Sequence, residues 1–205
     1  MPNGNINAAL DEAQRMAWDE SIGYTFGGDG NPDTNGYDCS AFVIRCLYRA
    51  GFNVPAHRVG TLYMGQQVLV PAGFTEIQYH SGMTMQSGDI VVINDGSYGH
   101  TYFYVENIYA YTEIADGYNC HATKGVVPYA KVEASSSWGH TQSGDQANQY
   151  GCHPEVWCHR LNPAYINNGH SDSTVKIYRW STPYDPTFDA KIAVLLGSLI
   201  LMRRK

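Results

Sequence analysis

A cysteine at the seam between a loop and a helix constrains this chain more than any other feature. Residues 27–36 read Gly-Gly-Asp-Gly-Asn-Pro-Asp-Thr-Asn-Gly, a composition that breaks both helix and strand. After Tyr37-Asp38-Cys39-Ser40-Ala41 comes an apolar run, Phe42-Val43-Ile44-Arg45-Cys46-Leu47-Tyr48-Arg49-Ala50, at helical spacing and closed by Gly51. Cys39 therefore falls near a helix N-terminus. The unpaired N–H groups and the positive end of the macrodipole there favour a thiolate. A thiol so placed on a rigid element suits a catalytic nucleophile. The competing use of cysteine is plain burial.

A second motif bears on that choice. Ser87-Gly88-Asp89-Ile90-Val91-Val92-Ile93 leads into Asn94-Asp95-Gly96-Ser97-Tyr98-Gly99, then His100-Thr101-Tyr102-Phe103-Tyr104-Val105. The β-branched stretch, the Asn-Asp-Gly turn signal and the aromatic stretch predict strand, turn, strand. His100 opens the second strand, so its ring is aimed by rigid backbone. Alone it reads as structural or solvated; beside a helix-terminal cysteine it is a candidate general base.

In order along the chain, Tyr24-Thr25-Phe26-Gly27-Gly28, Asp38-Cys39-Ser40, Gly88-Asp89-Ile90 and Gly99-His100-Thr101 resemble the NlpC-type family of papain-like cell-wall cysteine peptidases and amidases, which includes phage lysins. The resemblance spans roughly residues 10–135. It implies an α+β fold with N-terminal helices packed on a central antiparallel sheet. It implies Cys39 as nucleophile, His100 as base, Tyr24 near the oxyanion site, and Asp38 and Ser40 on the substrate side. No cofactor and no metal are implied. The chain departs from the family pattern at the third polar group, which usually lies on the strand after the histidine. Residues 106–129 interrupt that distance as an insertion dense in Tyr and Gly. Two candidates follow from the sequence: Glu133, in Val132-Glu133-Ala134-Ser135, and His121, in Cys120-His121-Ala122. Glu133 is preferred, because a carboxylate accepting Nδ1–H of His100 would leave Nε2 facing the thiol. Residues 139–146, Gly-His-Thr-Gln-Ser-Gly-Asp-Gln, resemble a segment of phage amidases in this family.

Composition narrows the partners. The net charge is −6 and no dense basic patch is present, which sets nucleic acid aside. Sixteen tyrosines suit stacking and hydrogen bonding to carbohydrate or peptide, as they suit packing of a β-rich core. Bacterial peptidoglycan is the expected partner. The five cysteines, Cys39, Cys46, Cys120, Cys152 and Cys158, are odd in number and loosely spaced, so free thiols are the default. A Cys152–Cys158 disulfide would need an oxidising compartment. The Cys-His pairs at Cys120, Cys152 and Cys158 fit no common zinc module. Cys46 is expected in the core.

The rest of the chain is expected to form one catalytic domain over residues 1–185. A first helix is predicted over 8–21, a short helix over 61–70, a strand over 74–77, a strand at Val132 and a final strand over 175–180. Residues 186–205 form a separate tail. Its run 192–202 is apolar and ends in Arg203-Arg204-Lys205, but falls short of the roughly twenty residues needed to span a bilayer. Weak contact with an anionic membrane surface is one role for it, and docking as a tail helix another. The N-terminus lacks the layout of a secretory signal. That fits a lysin made in the host cytoplasm that reaches the wall later, or non-classical secretion.

The expected chemistry is attack by a Cys39 thiolate on an amide of the wall peptide, with His100 protonating the leaving amine. Acyl transfer uses the same apparatus, and a silent wall-binding module could keep the same fold. If Glu133 orients His100, Glu133→Ala cuts turnover and His121→Ala does so only slightly. Steady-state assays on peptidoglycan with both variants would show the order, and its reversal would move the role to His121.

Overall fold

The computed structural model describes residues 4–19, 22–28, 36–112, 123–135 and 155–182. Two helices open the chain. α1 spans Ile6–Ala17 and is capped by Asn5, whose side chain accepts from the backbone N–H of Asn7 and Ala8. Its buried residues, Ile6, Ala9, Leu10, Ala13, Met16 and Ala17, recur at helical spacing along one stripe. α2 spans Cys39–Arg49 and buries eight residues, Phe42, Ile44 and Leu47 among them. It ends as its sequence predicts. Gly51 takes φ +81°, Gly51 N–H bonds to the Tyr48 carbonyl, and Phe52 N–H reaches back to the Leu47 carbonyl. Glu12 of α1 ion-pairs with Arg15 and, across the helix interface, with Arg49. Cys46 sits fully buried with its sulfur 3.9 Å from that of Met16.

The sheet has eight strands: β1 Gly23–Tyr24, β2 Gly36–Tyr37, β3 Thr75–Gln78, β4 Ile90–Asn94, β5 Gly99–Thr112, β6 Thr123–Ser135, β7 Glu155–Arg160 and β8 Val175–Arg179. Their spatial order is β2-β1-β7-β6-β5-β4-β8-β3. The body of the sheet, β7 through β3, is an antiparallel ladder; β1 and β2 pair in parallel at one edge. α1 and α2 pack on the face carrying Phe103, Val105, Val132, Ala134, Val156 and Cys158. The opposite face holds a smaller core of Val91, Ile93, Tyr102, Tyr104, Val175 and Ile177. Helices on one side of an antiparallel sheet are the α+β arrangement that the sequence implied.

Two expectations change. Residues 106–129 are not an insertion that breaks the sheet. β5 runs on to Thr112 and β6 returns from Thr123, so the described part of that stretch is one long hairpin in register. Tyr-rich sequence with apolar residues on alternate positions pairs as readily as it loops. The ladder lapses once, where Asn107 (φ 53°) faces Pro128, which has no N–H to give. The helix expected over 61–70 is shorter: α3 covers Thr61–Met64 and passes into a π-helical turn, Gly65–Leu69, closed by Val70 N–H on the Gly65 carbonyl. Gly65 lets that turn approach β8, since a Cβ there would overlap the Tyr178 hydroxyl. Cys158 is a free, buried thiol on β7, in keeping with free thiols as the default. Cys120, Cys152, residues 139–146 and the tail 186–205 lie outside the described residues.

The Gly-Asp motif before β4 is a structural clamp. Gly88 takes φ +93°, and a Cβ there would crowd Ile6. Asp89 is 1% exposed and accepts two hydrogen bonds from Arg179 of β8, at 2.8 and 2.7 Å, and one from Gln86 N–H at 2.8 Å. A buried carboxylate holds its charge only with such partners. Arg179→Met should therefore destabilise the fold by about 3–5 kcal/mol. Urea denaturation checks this, and an unchanged midpoint would show that the sheet does not lean on the pair.

Candidate active site

Asp38 fixes where α2 begins. Its Oδ1 accepts from Ala41 N–H and from the Ser40 hydroxyl, both at 2.8 Å, and its Oδ2 meets Arg58. That is an N-cap with a charge suited to the positive helix end. Cys39 is thus the first helical residue, and its own N–H is among those a helix leaves without an internal partner. Ser40 is 1% exposed and its hydroxyl donates to Asp38, so both residues take part in capping α2. Tyr24 lies on β1 opposite Tyr37, next to the turn into α2, and is half-buried against the main core.

His100 is the second residue of β5, paired with Ile93 of β4. Gly99 before it allows a close approach: a Cβ there would stand 2.1 Å from Thr61 Oγ1. The ring has two neighbours that matter. Nε2 lies 2.6 Å from Glu133 Oε2, and the Cys39 thiol lies close enough to raise the proton affinity of the ring. Cys39, His100 and Glu133 therefore come together from α2, β5 and β6. The ring nitrogens are exchanged relative to expectation: Nε2, not Nδ1, meets the carboxylate, which leaves Nδ1 for sulfur. Nε2 is at the far end of the ring from Cβ and reaches across to the neighbouring strand, whereas Nδ1 stays near the backbone. Cys39 and His100 are both buried, each with 8% of its surface exposed. His121 lies outside the described residues.

The electrostatics follow from burial. Desolvation alone would lower the imidazole pKa, but the Glu133 charge and the hydrogen bonds with Cys39 and Glu133 outweigh it and push His100 up to about 9. Glu133 is 1% exposed, and its other oxygen, Oε1, lies 3.2 Å from Lys131 Nζ. A thiol facing such a ring can hand over its proton and persist as a thiolate–imidazolium pair.

Sequence reasoning missed two neighbours. Tyr98 precedes the Gly-His pair, with its ring 6.3 Å from that of His100, and stacks on His170 at 4.4 Å. Burial, with the charges of Glu133 and Cys39, pushes the Tyr98 hydroxyl up to about 12. His170 Nδ1 in turn lies 3.0 Å from Asp95 Oδ2. An aromatic residue two positions before the histidine was the available signal for Tyr98. His170 is distant in sequence and carried none.

A helix-borne thiol meeting a strand-borne imidazole and carboxylate is the arrangement of papain-like thiol hydrolases. The NlpC/P60 family model matches residues 22–141, more than half of the chain, and the chain belongs to that family. Members are generally cysteine peptidases that hydrolyse peptidoglycan. No curated protein matches the chain.

Because the fold favours protonated His100, the stabilisation is complete below about pH 6.5 and is lost as pH climbs through about 9. The wild-type protein should lose about 3 kcal/mol over that interval relative to His100→Gln. Chemical denaturation of both proteins at several pH values gives the difference, and parallel profiles would contradict the raised value.

Proposed function

We propose that this chain hydrolyses an amide bond of the peptidoglycan peptide, at the N-acetylmuramoyl–alanine linkage or within the stem peptide, by a thiol mechanism. The observation that carries this reading is the convergence of Cys39, His100 and Glu133 at the start of β5, with the ring bonded to Glu133 and the thiol beside it. His100 takes the proton of Cys39, and the thiolate attacks the amide carbon. The Cys39 backbone N–H, at the start of α2, faces the developing oxyanion, with Tyr24 on the adjacent strand. The imidazolium then protonates the leaving amine, the C–N bond breaks, and a thioester forms. Water, activated by the neutral ring, releases the acyl group and regenerates the thiol. Glu133 keeps the ring oriented and balances its charge throughout.

Family membership supports a wall substrate. The phage-lysin reading rests on the resemblance of residues 139–146, and membrane-surface contact on the tail 192–205; both segments lie outside the described residues. Among the described residues no helix is long and apolar enough to cross a membrane.

Cys39→Ala should fold as the wild type does and lose wall lysis by about 10⁴-fold or more. Digestion of purified peptidoglycan, with identification of newly freed amines by mass spectrometry, measures the loss and names the bond. Lysis at the wild-type rate by Cys39→Ala would exclude the thiol mechanism.

A further inference from the structure

We propose that Lys131 is a positioning residue for Glu133, so that the relay has four members: Cys39, His100, Glu133 and Lys131. The inference rests on the thiol-hydrolase reading and adds a residue to it. Lys131 and Glu133 are two apart on β6, so their side chains leave the same face of the sheet. Lys131 Nζ stands 3.2 Å from Glu133 Oε1, while Oε2 holds His100 Nε2 at 2.6 Å. Each oxygen of one carboxylate is thus committed to a different nitrogen. The last torsion of a glutamate is broad and nearly free. A carboxylate held only by the imidazole could turn about that bond; one held at both oxygens cannot turn without breaking an ion pair.

Lys131 is itself placed. Its side chain is 12% exposed, and Nζ lies 5.5 Å from the centre of the Tyr102 ring, on its face. Lysine is seldom this buried without a charge partner. A solvated strand lysine would extend into water instead. Tyr102 also neighbours His100, with ring centres 5.9 Å apart, so one aromatic floor underlies both cations. Tyr104 of β5 and His159 of β7 stand opposite Lys131 in register, and among the described residues Tyr98 and Cys39 also neighbour His100 and Glu133.

Removing the ammonium has a definite sign. A lost cation raises the proton affinity of every group near it. In Lys131→Met, the carboxyl of Glu133 and the imidazole of His100 should both titrate at higher pH, and the freed carboxylate should hold the ring less well. Lys131→Arg restores a cation at the same place.

The test uses the full chain, as wild type, Lys131→Met and Lys131→Arg. Two readouts are taken: kcat and KM on soluble muropeptides, and the rate of Cys39 alkylation by iodoacetamide across pH. The expectation is a fall of about 10-fold in kcat for Lys131→Met with KM little changed. Both limbs of the alkylation profile should move upward by about one pH unit. Lys131→Arg should recover most of both. Limbs that stay in place in Lys131→Met, or equal losses in the Met and Arg variants, would overturn the proposal and leave Lys131 as packing alone. The alkylation profile needs no wall substrate. A wild-type protein that releases no amine from muropeptides would therefore sink the hydrolase reading, while the limbs still decide the place of Lys131.

Discussion

The docking of α2 against β5 is the contact on which the site depends. Phe42 and Phe103 are both fully buried and meet edge to face, with ring centres 6.2 Å apart. Cys39 is three residues ahead of Phe42, close to one helical turn. His100 is three residues ahead of Phe103 along its strand. One aromatic lock inside the core thus indexes sulfur and imidazole to each other from two elements that share no local sequence. Rigid packing at that point brings side chains sixty-one residues apart in sequence into one site.

Charge is arranged around that lock in alternation. Arg58 faces Asp38 at the helix start, and His100 and Lys131 flank Glu133 between the strands. Each buried anion has a cation partner, which is the condition under which burial does not simply neutralise it. The Asp89–Arg179 pair applies the same rule away from the site, joining the motif before β4 to the final strand. Asp38 and Asp89, the two acidic residues of the family motifs, both hold backbone in place: Asp38 caps α2, and Asp89 ties the turn before β4 to β8.

Local signals in the sequence carried much of this. Gly51 stops α2 through a left-handed turn, and a Gly-Asp before β-branched residues begins β4; both effects act within a few residues. Glu133 was legible because a carboxylate stood where the family places a polar group. What could not be read depended on registry between distant segments. The exchange of the two ring nitrogens depends on how far β6 stands from β5. Lys131 gains its meaning only once Glu133 is known to face inward. β7 was hidden because Val156-Trp157-Cys158-His159 read as a cysteine–histidine pair, and its alternation of buried Val156 and Cys158 shows only against β6. The paired strands of 106–112 and 123–129 read as an insertion because their length departs from the family pattern, and their pairing shows only in register.

The strand order has a temporal side. β8, near the end of the described chain, lies between β4 and β3, and its arginine neutralises Asp89 beside β4. Residues that emerge early from the ribosome therefore wait for a late partner before β4, which borders the strand bearing His100, is flanked on both sides. Until then the sulfur and the imidazole lack a finished frame.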